Sequence, residues 1–264
     1  MDSLLIPVLL GIVEGLTEFL PISSTGHLII TGHWIGFTGE KANIFEVVIQ
    51  LGAILAVVSL YRHRFLGLLR YDSARPFSGR RGIFLLFLTS VPASILGLLT
   101  HDLIKTYLFN TASVAWALAV GAVAILLVEQ YKQKSKYSGL DAITPALAVG
   151  IGLFQCLALW PGFSRSGATI MGGMVLGANR KTAAEYSFIA AVPIMFAATG
   201  FDLLQGWTLF DSEDFIFLGI GFIVSYISAW FAVKSFILLL SRVTLRPFAL
   251  YRLLIAPLVL LFKI

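Results

Sequence analysis

The chain has 264 residues and a formal net charge of +5; 58% of it is hydrophobic and only 12% is charged. Soluble domains carry about 25% charged residues, so this chain cannot cover a water-facing surface of its size, and a soluble enzyme, a nucleic-acid binder and a disordered protein are excluded. With a mean hydropathy of +0.90 it reads as an all-α, polytopic integral membrane protein forming one transmembrane domain over residues 1–264; long continuous apolar runs, rather than alternating ones, argue against an outer-membrane barrel.

Apolar runs between charged punctuation predict about ten helical segments, near residues 3–20, 26–37, 43–61, 82–100, 111–130, 141–160, 166–178, 183–205, 214–240 and 245–263. Met1 to Leu10 lacks a basic start and no small-residue cleavage site follows, so no cleavable signal peptide is expected. The second and seventh segments are too short to cross roughly 30 Å of hydrocarbon. Each follows a Pro/Gly/Ser break: Pro21-Ile22-Ser23-Ser24-Thr25-Gly26 in one case and Pro161-Gly162-Phe163-Ser164-Arg165-Ser166-Gly167 in the other. A short helix, a polar break and another short helix is the pattern of a re-entrant hairpin. Non-helical backbone at membrane depth survives only where protein or water covers it, so both breaks are expected to line a cavity. The lone cysteine, Cys156, has apolar surroundings and reads as a packing residue.

The charges orient the spans. Between Arg62 and Arg81 lie six arginines (62, 64, 70, 75, 80 and 81) against one acid, Asp72, and Lys132, Lys134 and Lys136 mark a second basic connection. Residues 202–214 carry Asp202, Asp211, Glu213 and Asp214 with no base. The positive-inside rule places the basic connections in the cytoplasm and the acidic one outside. The basic residues therefore need no nucleic-acid partner to explain them. Following the chain, the 3–37 hairpin opens outward and the 141–178 hairpin opens inward, so their tips meet near the midplane, as in an inverted-topology repeat.

A repeat is visible in the residues as well. Gly11-Ile12-Val13-Glu14-Gly15-Leu16 matches Gly152-Leu153-Phe154-Gln155-Cys156-Leu157, and Ser23-Ser24-Thr25-Gly26 matches Ser164-Arg165-Ser166-Gly167, both at an offset of 141 residues. Repeat one is expected over about 1–130 and repeat two over about 141–264.

The chemistry gathers at the two breaks. Glu14 and Glu18 share one face of an otherwise apolar helix, and ionisable groups inside a membrane segment are functional by default. Their spacing lets both carboxylates reach one hard divalent cation, Mg²⁺ or Ca²⁺. Ser23, Ser24 and Thr25 supply hydroxyls at a helix start, where one N-cap explains only one of them, and His27 lies close enough to act as acid or base. Arg165 has no sequence-local acid, and its planar fork suits phosphate; the helix start that follows it adds backbone N–H groups. Glu46, Gln50 and Glu185 read as weaker, supporting positions. Two carboxylates, hydroxyls, a histidine and an arginine fit metal-assisted phosphoryl transfer, here on a substrate with a lipid tail.

The stretches Glu14-Gly15-Leu16-Thr17-Glu18-Phe19-Leu20-Pro21-Ile22-Ser23-Ser24-Thr25-Gly26-His27 and Trp160-Pro161-Gly162-Phe163-Ser164-Arg165-Ser166-Gly167-Ala168-Thr169 closely resemble the two signature motifs of the bacterial undecaprenyl-diphosphate phosphatase family of the bacitracin-resistance type. The resemblance extends over essentially the whole chain, including Phe45-Glu46-Val47-Val48-Ile49-Gln50-Leu51-Gly52. It implies removal of the terminal phosphate of a polyprenyl diphosphate, with a divalent cation, at the outer side of the bacterial inner membrane, which recycles the lipid carrier for peptidoglycan synthesis. It also implies that Glu14 and Glu18 handle the cation or orient the nucleophile, and that Ser24 attacks with His27 activating it or protonating the leaving group. Arg165 would clamp the diphosphate, with Ser23, Thr25, Gly26, Ser164, Ser166 and Gly167 completing the substrate site. Whether Ser24 or His27 takes the phosphoryl group stays open at this level. So does a homodimer, since no surface marks one.

Two alternatives compete with this reading. The other large class of membrane lipid phosphatases needs Lys-x6-Arg-Pro and Ser-Arg-x5-His, but Leu68 and Met171 stand where its lysine and histidine belong. A transporter or flippase of a phosphorylated polyprenyl lipid would use the same repeat architecture, yet it needs no nucleophile or base.

Overall fold

A computed structural model describes residues 4–70, 72, 74–131, 135–206, 214–240 and 243–261. The described chain is helical: α1 (Leu5–Thr17), α2 (Ser24–Ile35), α3 (Glu40–Leu60), α4 (Arg62–Leu68), α5 (Gly79–Leu103), α6 (Thr111–Gln130), α7 (Pro145–Gln155), α8 (Arg165–Val175), α9 (Arg180–Gly206), α10 (Asp214–Leu240) and α11 (Arg246–Val259). Among the described residues, five helices are long and apolar enough to span a membrane: α3, α5 with its π-helical continuation to Leu108, α6, α9 through Leu204, and α10. The protein is an all-α, multi-pass membrane protein.

The two ends of the molecule are marked by contacts. At one end, Arg64 pairs with Asp141 at 2.9 Å, and the other Asp141 oxygen accepts from the Phe77 N–H at 2.9 Å, so the arginine-rich connection meets the start of the second half. At the same end, the N–H groups of Lys136 and Tyr137 donate to Gly177, just past α8. At the opposite end, Lys41 at the start of α3 pairs with Asp214 at the start of α10, 2.9 Å apart, beside a cluster of Phe37, Phe45 and Phe217. The α1–α2 hairpin therefore opens at the Lys41–Asp214 end and the α7–α8 hairpin at the basic end. They enter from opposite faces.

Helix partners obey the same exchange. α1 packs on α10 while α7 packs on α5, and α3 meets α9 and α6 meets α11 across the centre. Small residues allow the close approaches, as expected where packing rather than water drives helix association. A Cβ at Gly11 would lie 2.7 Å from the Gly221 carbonyl, and one at Gly15 would lie 2.5 Å from the Ser225 carbonyl. The central core runs from Phe19, Ala53 and Ile54 through Ile170 and Phe188 to Val233 and Phe236. The other faces carry exposed Leu, Ile and Phe, which is what a lipid solvent permits.

Several boundaries differ from the sequence expectation. The first segment stops at Thr17, and residues 18–22 form turns, because the break reaches back to the helix bearing Glu14. The 141–160 segment divides into a short 3-10 turn, α7 with Pro145 in its first turn, and a 3-10 stretch from Cys156 to Leu159. α4 was missed, because a seven-residue helix of Arg, His and apolar residues gives no span signal. Asn179-Arg180-Lys181, read only as a topology marker, also does structural work: Arg180 holds the buried Glu129 with both Nε, at 2.8 Å, and Nη2, at 2.5 Å, and Glu129 further accepts from the Leu245 N–H. Lys132, Lys134, Asp211 and Glu213 lie outside the described residues.

Gly15→Ala should lower the thermal unfolding midpoint of the detergent-solubilised protein, at a cost of about 1–3 kcal/mol for an overpacked contact. Gly219→Ala, on the same helix pair but with nothing within 4 Å of a new Cβ, should leave it close to wild type. Equal midpoints for the two variants would contradict the packing.

Candidate active site

Each hairpin turns its corner on a serine. Ser23 has φ 69° and ψ 100°, Ser164 has φ 78° and ψ 114°, and among the described residues no other non-glycine has positive φ. Such corners cost about 1–3 kcal/mol each and persist where the surroundings over-determine them. Both serines do the same work: the Ser23 Oγ accepts from the Gly26 N–H at 3.5 Å and the Ser164 Oγ from the Gly167 N–H at 3.2 Å. The residue after each corner starts a helix, Ser24 for α2 and Arg165 for α8. Two helix N-termini with anion-attracting N–H groups thus converge from opposite faces.

Between them lies a cavity of about 170 Å³ whose walls include Glu18, Ser23, Ser24, Thr25, Ser164 and Arg165, with Gln50 and Met195. Glu18 joins the halves. Its Oε2 accepts from the Ser24 hydroxyl at 2.6 Å and its Oε1 from Arg165 Nη2 at 2.9 Å. The arginine predicted to lack a partner is therefore paired, with an acid from the other repeat that sequence distance concealed. Arg165 also donates from Nη1 to the Ser187 carbonyl at 3.3 Å, lies over the Phe19 ring at 5.3 Å, and keeps its buried Nε without a partner. With Nη2 also donating to the Met195 Sδ at 3.1 Å, two of the five guanidinium N–H groups, one on Nε and one on Nη1, are left without a protein partner. The Ser166 hydroxyl donates to the Leu20 carbonyl at 2.8 Å, a second tie between the tips.

Other expected site residues stand behind the wall. Glu14 is 1% exposed and lies one helical turn back along α1, and its Oε1 has no hydrogen-bond partner. Gly26 and Gly167 are packing positions: a Cβ would lie 3.0 Å from Leu118 at the first and 3.3 Å from the Ser164 Oγ at the second. His27 is not among the cavity-lining residues, and its two ring nitrogens are engaged away from the Ser24 hydroxyl. Its Nδ1 donates to the Ser23 carbonyl at 2.7 Å and its Nε2 faces the Tyr251 hydroxyl at 2.8 Å. Of the supporting positions, Gln50 reaches the cavity and Glu46 and Glu185 do not.

The donor set was tested against a divalent cation. Among the described residues no three His, Cys, Asp or Glu side chains come together as a metal site. Mg²⁺ is commonly held by one or two carboxylates plus substrate phosphates, and the orphaned Glu14 oxygen beside Glu18 fits that minimal arrangement. The residues suit a cation that arrives with a phosphorylated substrate better than one caged by protein alone.

Tyr251 and Arg252 of α11 and Met195 of α9 were not anticipated. The available signal was Arg252, the one charged residue between Phe248 and Phe262.

The family described as "Bacitracin resistance protein BacA" matches residues 7–258. The chain is 68% identical over 262 residues to a protein of Maridesulfovibrio salexigens named "Undecaprenyl-diphosphatase", covering 99% of both. It is 66% identical over 259 residues to a protein of the same name from Nitratidesulfovibrio vulgaris, covering 98% of both. It is 49% identical over 256 residues to "Undecaprenyl-diphosphatase 1" of Bacillus thuringiensis, covering 97% of both. With matches that take in both hairpins and every helix between them, the chain belongs to the bacitracin resistance protein BacA family.

Proposed function

We propose that this protein hydrolyses undecaprenyl diphosphate to undecaprenyl phosphate and inorganic phosphate. The observation that carries the reading is the Ser24 hydroxyl donating at 2.6 Å to a carboxylate, Glu18, that is itself held by Arg165 from the opposite hairpin. A hydroxyl, a proton acceptor and an anion clamp within one small cavity form a phosphoryl-transfer set, and a pure carrier needs only the clamp.

In this reading the diphosphate enters between the N-termini of α2 and α8, and Arg165 turns its unpartnered Nε toward it. The Ser24 Oγ attacks the terminal phosphorus as its proton passes to Glu18. The P–O bond to the lipid phosphate breaks, leaving a phosphoserine and releasing undecaprenyl phosphate; water then attacks the phosphoserine, and the serine recovers a proton. Ser24 is preferred over His27 as nucleophile because both imidazole nitrogens are engaged and the ring lies outside the cavity. Thr25 and Ser164 offer hydroxyls to the phosphate oxygens from the cavity wall. Glu14 and Glu18 would hold a divalent cation, Mg²⁺ or Ca²⁺, which when bound supplies positive charge to the diphosphate oxygens.

The two repeats, about 1–130 and 141–264, each contribute one tip. By the positive-inside rule the Arg64–Asp141 end faces the cytoplasm, so the α1–α2 hairpin opens to the periplasmic side of the inner membrane. Hydrolysis there recycles the lipid carrier for peptidoglycan synthesis and confers the bacitracin resistance in the family's name.

Purified protein in detergent should release phosphate from a polyprenyl diphosphate, and a chelator should abolish release. Ser24→Ala and Glu18→Gln should each lower kcat by about 10²–10⁴-fold, the range of nucleophile and proton-transfer contributions; a fully active Ser24→Ala would move the covalent step away from Ser24. Arg165→Lys keeps a charge but loses the fork that spans Glu18 and a phosphate, and should lower kcat/KM by about 100-fold. In a Cys156→Ser background, a cysteine at Arg75 should label with a membrane-impermeant maleimide only after permeabilisation. Labelling of intact cells or spheroplasts would invert the orientation.

A further inference from the structure

α11 lies outside both signature stretches, yet two adjacent residues on it reach both tips. Arg252 is fully enclosed, at 0% exposure. Its guanidinium donates from Nη1 to the Pro21 carbonyl at 3.3 Å, from Nη2 to those of Gly162 at 3.2 Å and Ala117 at 3.1 Å, and from Nε to that of Leu118 at 3.1 Å. Pro21 and Gly162 are equivalent positions of the two repeats, each three residues before the helix start that carries Ser24 or Arg165. One cation therefore satisfies the matching carbonyls that both broken helices leave without intrahelical partners. The fit is built in: a Cβ at Gly121 would collide with Nη2, and one at Gly167 would lie 3.4 Å from Nη1.

Its neighbour, Tyr251, places a hydroxyl 2.8 Å from His27 Nε2, with the rings stacked 5.5 Å apart at 12°. Because the Ser23 carbonyl can only accept, the hydrogen of a neutral His27 sits on Nδ1, and Nε2 accepts from the Tyr251 hydroxyl. The ionisable groups that face His27 are Tyr251 and Arg252, both on α11.

We propose that Tyr251 and Arg252 are positioning residues of this site: Arg252 sets the spacing of the two hairpin tips, and hence of Ser24 against Arg165, and Tyr251 holds in place the ring of His27, whose tautomer the Ser23 carbonyl sets. The proposal rests on the diphosphatase reading, so phosphate release by wild type is the control that separates the two. Arg252 touches no substrate, since it is fully enclosed with four of its five donors on carbonyls, and its effect is on geometry.

The test compares wild type with Arg252→Lys and Tyr251→Phe. A lysine keeps the charge but donates from one nitrogen, which cannot span both tips and α6. Arg252→Lys should lose about 100-fold in kcat, the scale for a displacement of about 1 Å, with KM within about threefold and a cooperative thermal transition retained. Wild-type kcat would overturn the Arg252 assignment. If Arg252→Lys does not fold, Gly121→Ala, which pushes the guanidinium without removing it, carries the same expectation and the same refutation. Tyr251→Phe should lower kcat by at least about tenfold and displace a limb of the kcat/KM pH profile. A profile superimposable on wild type would remove Tyr251 from the site. A readout independent of turnover is the distance between spin labels at Trp34 and Leu157, in a Cys156→Ser background. It should broaden or shift in Arg252→Lys, and an unchanged distribution would show that the tips do not depend on this residue.

Discussion

A helix broken inside a membrane leaves carbonyl and N–H groups that lipid cannot satisfy, each at a cost of several kcal/mol. This protein breaks two, and much of its interior is arranged to answer them. The Ser23 and Ser164 side chains cap the helices that follow their own corners. The Ser166 hydroxyl takes the Leu20 carbonyl of the other tip, and Arg252 takes Pro21 and Gly162 together. Because each hairpin is completed by groups from elsewhere in the chain, neither stands alone. The cavity follows from this cross-bracing: the tips meet only where each supplies what the other lacks.

The ion pair between Glu18 and Arg165 has the same logic in charge. Both side chains are largely enclosed, at 8% and 15% exposure, where an unpaired charge would be expensive. Pairing them across the two hairpins neutralises both while leaving one carboxylate oxygen on Ser24 and the Arg165 Nε without a partner.

Much of this was legible in the residues. The breaks at 21–26 and 161–167, the short helices behind them and the offset of 141 residues disclosed the hairpins, because Pro, Gly and Ser are rare enough in apolar runs to stand out. Opposite entry followed from arginine and aspartate placement and agrees with the Arg64–Asp141 and Lys41–Asp214 ends. What could not be read were contacts between residues distant in sequence. Glu18 and Arg165 are 147 residues apart, so Arg165 looked unpartnered, and His27 looked close to Ser24 because helical spacing says nothing of where a ring turns once Ser23 and Tyr251 compete for it. Arg252 was passed over because one arginine in an apolar helix resembles a topology mark until its four carbonyls are seen. α4 escaped for a different reason: a short helix at a membrane surface has no period long enough to detect.

The strained corners at Ser23 and Ser164 have a consequence for biosynthesis. Equivalent corners present different residues, a hydroxyl from the first half and a guanidinium from the second. A nascent chain that has inserted only its first half holds Ser24 and Glu18 without Arg165 opposite them, and Arg252, which ties the tips, follows both hairpins in the chain. Translation order thus sets assembly order: the cross-bracing of the two tips by Arg252 can form only once α11 has been made.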